Sequence, residues 1–385
     1  MWQIFVEPVD VLLFRDGRPF TAGEDHRARS MFPPTPFTMQ GMLRSKILFE
    51  SGVSPTDYAG DSPSPTAQRL RELIGTPRKS YGKLRLRGPF VARKGDDDSL
   101  TRYFPMPADV LEIADEQEKS HKTYTFLKPL VGHPFRSNAP PGVELLWPDA
   151  GGAVKETYGW LAESEFRKYL AGQTDFHVTE EVELLVREPR FGIALDPSTR
   201  RPREGLLYQM EFLRLKEGTG FLLEVDGVPP FQAESGFVQL GGEARVARYR
   251  ILPSPLPPLP LSNPLPTRFK VVLLTPAWFS GGWQPKDGNW GKFFSGGAPR
   301  LVAAAIRRAQ PIGGAFVDNQ HRKESFQKVM RRFVPAGSVY FFESDGTLTY
   351  VGKPFTETPL GEGDFGQIGF GCVAIGEWDY TRKEG

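Results

Sequence analysis

Six cations crowd the first 46 residues of this 385-residue chain: Arg15, Arg18, Arg27, Arg29, Arg44 and Lys46. Two of them sit in the turn Phe14-Arg15-Asp16-Gly17-Arg18-Pro19-Phe20. A proline-rich loop follows, Ser30-Met31-Phe32-Pro33-Pro34-Thr35-Pro36, and the spacing after it predicts a helix carrying Gln40, Gly41, Arg44 and Lys46 in its first turns. A helix N-terminus offers unsatisfied backbone N–H groups and partial positive charge, which suits a phosphate. Arginines beside it add bidentate recognition of the phosphate oxygens. The same residues also suit a strand–turn–helix whose arginines are only solvated, and taken alone they leave both readings open.

Two further clusters repeat the chemistry. Arg187, Arg190, Arg200, Arg201 and Arg203 surround an internal hairpin, and Arg322, Lys323, Lys328, Arg331 and Arg332 lie farther on. Phe20, Phe32, Phe37, Phe191, Phe326 and Phe333 accompany them. Cations along a backbone path, with aromatic platforms for splayed bases, are what single-stranded RNA requires. Near the end, Gly361, Gly363, Gly366, Gly369, Gly371 and Gly376 fall within 16 residues. Glycine permits close backbone approach and positive φ, so this stretch suits N–H groups lining a sugar–phosphate chain. No Gly-Lys-Ser/Thr follows, which excludes a P-loop. A glycine loop feeding a strand is the plain alternative.

Acid–base and metal chemistry find little support. The five histidines (His26, His121, His133, His177, His321) show no HExxH or paired spacing, and the single Cys372 excludes a disulfide framework or cysteine zinc site. His26 beside Asp25 is the one pair with an acid–base reading. No cofactor and no metal are expected. With 48 Lys+Arg against 46 Asp+Glu, the chain is no globally basic coat, and a local basic groove remains open. One cysteine fits a reducing cytoplasm, the N-terminus reads as a strand rather than a signal peptide, and no apolar run approaches the ~20 residues of a membrane span.

The elements that must position these groups follow from pattern. Apolar strands are expected at Trp2–Val6, Val11–Leu13, Phe269–Leu274, Val339–Glu343 and Leu348–Val351, with a Ser344–Thr347 turn before the last. Leu301, Ala304, Ala305 and Arg308 predict a helix over Ala298–Ala309. Pro253–Pro266 is half proline and reads as a stiff connector. The expected fold is α+β: two ferredoxin-like (RRM-like) domains, residues 1–252 and 267–385, the first with an insertion at about 80–150 and a hairpin at about 188–215.

The wording of these segments carries a resemblance. FRDGRPF, the S-x-F-P-P-x-P loop and G-x-L-R-S resemble the start of the third Cmr subunit family of type III-B CRISPR effectors, within the RAMP superfamily of RNA-binding proteins. Glu188–Tyr208, Leu240–Arg245, Thr275–Pro285, Ala336–Tyr340 and Gly366–Trp378 resemble later islands of that family in the same order. The resemblance implies paired ferredoxin-like domains and a non-catalytic subunit that grips the 5′ tag of the guide (CRISPR) RNA. It implies protein partners as well: the large polymerase-like subunit and the backbone RAMP subunits. It carries RNA contact onto Arg15, Arg18, Gln40, Arg44, Lys46, Arg200, Arg201, Arg331, Arg332, Gly369 and Gly371, and makes the hairpin a wedge between tag and spacer. A metal-independent processing endoribonuclease and a protein-only scaffold are the alternatives.

Overall fold

A computed structural model of the chain describes residues 1–15, 27–77, 80–114, 122–130, 139–196, 198–315 and 327–380. Arg18, Asp25, His26, Arg322 and Lys323 lie outside the described residues.

In chain order the first elements are β1 (Trp2–Pro8), β2 (Arg27–Ala28), α1 (Pro36–Glu50), α2 (Pro55–Ala59) and α3 (Pro65–Ile74). Next come β3 (Arg85–Lys94), β4 (Leu100–Pro105), β5 (Val110–Ile113), β6 (Tyr124–Leu130), β7 (Leu145–Pro148), β8 (Val154–Glu156), β9 (Trp160–Ala162), α4 (Glu163–Leu170) and α5 (Glu181–Leu184). The strands β10 (Leu185–Leu195), β11 (Pro202–Leu215), β12 (Thr219–Asp226), β13 (Ser235–Gln239) and β14 (Val246–Ile251) follow. The remainder is β15 (Arg268–Leu273), β16 (Arg300–Ala305), β17 (Gln310–Ala315), β18 (Gln327–Phe333), β19 (Val339–Glu343) and β20 (Val373–Glu377).

Antiparallel pairing dominates. A seven-stranded sheet runs β13-β14-β1-β12-β3-β4-β9, and a four-stranded sheet runs β16-β19-β15-β20. The first strand shows why both faces of the large sheet are covered. Ile4 and Val6 point into a core shared with Met39, Met42 and Leu43 of α1, while Phe5 points into a second core with Phe90, Val272 and Phe341. Period-2 alternation with apolar residues at both parities demands burial on both sides. The second core contains side chains from both sheets, so the two halves of the chain pack on each other.

Several expectations are corrected. Ala298–Ala309 is not a helix; residues 300–305 form β16, paired antiparallel with β19. Alanines at helical spacing mimic a helical stripe, but Val302 and Ala303 are fully buried, and the small side chains fit beside the aromatic strand Val339–Glu343. Tertiary pairing overrides local propensity here. Val11–Leu13 and Leu348–Val351 each make only an isolated bridge, Leu12 to Leu213 and Thr349 to Ser295. The expected insertion at 80–150 begins too early, because β3 and β4 are strands of the main sheet; β5–β8 form the separate four-stranded sheet. The proline-rich stretch, expected as a stiff connector, is also pinned to the first half of the chain. Leu256 exchanges backbone hydrogen bonds with the Gln3 side chain (2.7 and 3.3 Å), and Arg102 Nη2 donates to Pro257 O at 2.6 Å.

Among the described residues, no helix is long and apolar enough to cross a membrane.

Candidate nucleic-acid interface

Helix α1 is the member that brings the separated islands together. Thr35 caps it, its Oγ1 accepting from Thr38 N at 3.4 Å, and Pro36 takes the first position, where a missing N–H costs nothing. Thr35 and Pro36 are both buried. The expected phosphate cradle at the helix N-terminus is therefore closed by the helix's own cap, and the remaining polar groups of α1 lie on the helix flank.

Phe37, Gln40 and Arg44 share that flank, at spacings of three and four residues. Phe37 meets the edges of Phe365 (5.4 Å between centroids) and Phe370 (4.8 Å) in the glycine-rich C-terminal segment. Gln40 is 4% exposed, and its Nε2 has no acceptor among the described residues. Buried amides without partners are rare and call for an explanation. Arg44 holds the loop after α3: Nε and Nη2 donate to Ile74 O at 3.0 and 2.8 Å, and Nη2 also donates to Ser80 O at 2.8 Å. Burial pushes its guanidinium below the usual range. Arg44 is thus first a fastener of its own chain, which the sequence reading missed.

The β17–β18 hairpin closes the same junction. The register pairs Ile312 with Arg331 but Gly314 with Lys328, so a bulge sets Val329 and Met330 against the single residue Gly313. Residues three apart on a regular strand face opposite sides; the bulge brings Lys328 and Arg331 to one side. Lys328 Nζ lies 3.8 Å from the Phe37 ring centre. Arg331 binds Glu362 through Nε (2.9 Å) and Nη2 (2.5 Å) and lies over Trp278. Burial, and next the neighbouring Arg44, lower the Lys328 ammonium to about 8, with Glu362 opposing. Neighbouring Arg332 is exposed.

The other expected contacts fall elsewhere. Lys46 points away from Arg44, pairing with Glu50 at 3.1 Å and lying 5.3 Å from the Tyr249 ring centre. Arg15 is exposed at the bridge to Ser30. Arg200 and Arg201 are exposed at the tip of the β10–β11 hairpin. Asp196 Oδ1 organises that tip, accepting from the backbone of Ser198 and Thr199 at 3.0 Å each, and Arg200 adopts φ 53°. Beneath the tip, one face of the hairpin exposes Phe191, Ile193, Leu195 and Leu207. Its base is tied to the first block by Ser30 Oγ donating to Glu211 O (2.6 Å) and Arg187 Nη1 donating to Ser30 O (3.0 Å).

Gly369 and Gly371 correct the sequence reading most sharply. Both are buried, at φ +105° and +69°, and a Cβ on them would lie 2.4 Å from Gly88 O and 2.7 Å from the Phe355 carbonyl carbon. These glycines permit close backbone approach, but the backbone they approach is the chain's own. Around them, Thr275 Oγ1 donates to Gly369 O at 2.7 Å and Cys372 N donates to Thr275 Oγ1 at 2.9 Å. Cys372 is buried, and burial pushes its thiol up, consistent with a packed residue.

A second polar cluster went unread. Lys270 Nζ sits 2.9 Å from Asp109 Oδ2 and 3.8 Å from the Tyr169 ring centre, and Tyr169 OH donates to Asp109 Oδ1 at 2.7 Å. Burial pushes the Lys270 ammonium down and the Tyr169 phenol up. This triad links β15 to the segment before β5. Its sequence signal was a lone lysine inside the apolar run Arg268–Leu273. Among the described residues, no group of three or more His, Cys, Asp or Glu could hold a metal ion.

The family model described as CRISPR-associated protein (Cas_Cmr3) matches residues 4–378, and the chain belongs to that family. A curated relative, the CRISPR system CMR subunit Cmr3 of Saccharolobus solfataricus (strain ATCC 35092 / DSM 1617 / JCM 11322 / P2), is 22% identical over 258 residues. That match covers 65% of this chain and 63% of the relative's length. Among solved structures, a chain of the type III-B Cmr-beta complex bound to cognate target RNA and AMPPnP superimposes with a TM-score of 0.47 at 15% identity, covering 88% of this chain and 86% of that one. A chain of the Csm3-Csm4 subcomplex of the type III-A interference complex gives 0.38 at 12% identity, covering 90% and 93%.

Proposed function

We propose that the chain is a non-catalytic RNA-binding subunit of a cytoplasmic type III-B CRISPR ribonucleoprotein. In this reading it holds the 5′ tag of the guide RNA and joins the large polymerase-like subunit to the backbone RAMP subunits. Family membership supports the assembly. The observation that carries the RNA reading is the convergence on one flank of α1: Gln40, Arg44, Lys328 and Arg331 come from islands nearly 300 residues apart in the sequence, and Arg15 and the hairpin adjoin through Ser30. Phosphates would run along this flank, with Arg332 at its margin, and Arg200 and Arg201 would reach RNA from the hairpin tip, whose apolar face suits a base splayed at the end of the tag.

The fold reading belongs here too. We read the chain as two ferredoxin-like units, the first with strand order β14-β1-β12-β3 and α1 in its first crossover, the second with order β20-β15-β19-β16. Both orders are 4-1-3-2 in sequence terms, which supports that reading.

The test is a salt-dependent filter-binding titration of the chain, alone and with its partner subunits, against guide RNA with and without the tag. Tag-dependent binding that weakens with salt is expected. Equal, weak binding of both RNAs defeats the reading and favours a protein scaffold, and a discrete cut in repeat RNA identifies a processing nuclease instead.

A further inference from the structure

The seven-stranded sheet and the sheet β16-β19-β15-β20 have four outer edges between them, and the chain covers three with its own segments. Trp160 of β9 exchanges backbone hydrogen bonds with Thr179 (2.9 and 2.8 Å), and Glu144 N donates to Val302 O of β16 at 2.7 Å. Helix α4 lies against β20, where a Cβ on Gly376 would come 2.9 Å from Leu170 O. The fourth edge is β13, and among the described residues no further strand pairs with it. The bonds that hold β13 show which of its groups are left over. Leu240 N donates to Arg245 O at 2.8 Å and Ile251 N donates to Glu234 O at 2.7 Å, so the even-numbered residues turn their backbone toward β14. Ser235, Phe237 and Gln239 turn their N–H and C=O groups outward, and none of these groups has a partner among the described residues.

Natural sheets blunt such an edge with lysine, proline or a bulge. The strand Ser-Gly-Phe-Val-Gln carries no charge and no proline, and its register with β14 is unbroken. At its centre Phe237 is 59% exposed, beside its cross-strand partner Arg248. Arg248 is exposed too, and among the described residues it forms no ion pair, even with Glu7, its register partner on β1. It lines a cleft of about 130 Å³ together with Lys94 and Arg250. Asp98 holds both of those, which leaves Arg248 as the available cation.

We propose that β13 accepts a strand from another protein subunit: an extended acidic segment that pairs with the outward groups of Ser235, Phe237 and Gln239, lays an apolar side chain on Phe237 and sets a carboxylate on Arg248. Main-chain bonds then supply the affinity and alternate side chains the specificity. This rests on the reading of the chain as a subunit of a larger assembly, not on RNA binding. Neighbouring strands lie ~4.8 Å apart, so the added strand and β14 are about 10 Å apart across Phe237, a span that a glutamate and an arginine close between them. A second copy of the chain would satisfy the backbone but bring another Arg248 to the same face instead of an acid. RNA would leave the outward backbone groups without the regular partner that a strand supplies, and would meet Glu7 beside Arg248.

Hydrogen–deuterium exchange on the unaltered chain reads this edge. When the chain is mixed with its partner subunits in the absence of RNA, the amides of Ser235, Phe237 and Gln239 should change from fast to slow, while those of Gly236, Val238 and Leu240 are slow throughout. Gln239→Pro removes an outward donor that the chain's own sheet does not use, so it should melt like the parent. Its association with the partner subunits should weaken about tenfold, as for one lost backbone hydrogen bond. Arg248→Glu should weaken association as well, by setting like charges together. No added protection on assembly, or full association of both variants, overturns the proposal and leaves the assembly standing. Protection by guide RNA alone, or in the concentrated chain by itself, assigns the edge to RNA or to a second copy and overturns it equally. If the unaltered chain fails to join its partner subunits, the assembly reading falls too.

Discussion

Replacing Gly369 by alanine tests whether the glycine-rich end serves ligand approach or internal packing. The added Cβ would sit 2.4 Å from Gly88 O, a backbone atom that cannot rotate away, and the residue must hold φ +105°. Strain of that backbone region costs ~1–3 kcal/mol. Displacing a well-packed neighbour costs a further ~1–3 kcal/mol. The sum, about 2–6 kcal/mol, is a large part of the ~5–15 kcal/mol that holds an ordinary domain folded. Gly41 provides the comparison: it is inside α1, with nothing within 4 Å of an added Cβ, so Gly41→Ala should gain ~0.5–1 kcal/mol. Denaturant melts of the two variants should move in opposite directions. A Gly369→Ala protein that melts like the parent while losing RNA binding would refute the packing account and return this glycine to the ligand face.

Two other substitutions probe the polar clusters. Asp109→Ala leaves the buried Lys270 ammonium without its counter-charge and should destabilise by ~3–5 kcal/mol in denaturant melts. Adding Lys270→Met should recover much of that loss, and an additive double variant would contradict the pairing. Arg44→Lys keeps the charge but cannot fork between Ile74 O and Ser80 O, so ~1.5–3 kcal/mol should be lost. Faster amide exchange at Gly75 and Ser80 is the local readout, with little change in the salt slope of RNA binding; unchanged exchange argues that Arg44 is not the fastener described.

What could be read in advance follows a physical line. The strands expected at Phe269–Leu274 and Val339–Glu343 were legible because largely apolar, β-branched and aromatic runs between turn residues leave few alternatives, and the Leu185–Leu215 hairpin because its tip residues, Asp196 to Arg201, stand between two strand-like runs. Arg300–Ala305 was not, since alanine spacing favours a helix until the aromatic strand beside it is known. For the candidate interface, the sequence marked islands that the fold gathers around α1, but not which way their side chains face. Arg44 and Lys46 are two residues apart on a helix and so point apart, a fact of periodicity that could have been used. The bulge that turns Lys328 toward Phe37, and the contacts that enclose Gly369 and Gly371, depend on residues far away in the chain and have no local signature.

The position of β1 inside its sheet, between β14 and β12, sets a timetable for biosynthesis. Its neighbours are β12, where Trp2 pairs with Val225, and β14, where Ile4 pairs with Ile251. This strand leaves the ribosome well before its partners and waits for some 225–250 further residues before either edge is covered. At ~5–20 residues per second that is roughly 10–50 s with an apolar strand unsheltered. In that interval Trp2, Ile4, Phe5 and Val6 are a ready target for nascent-chain chaperones, and a chain stalled before Val225 would present an uncovered strand to aggregation.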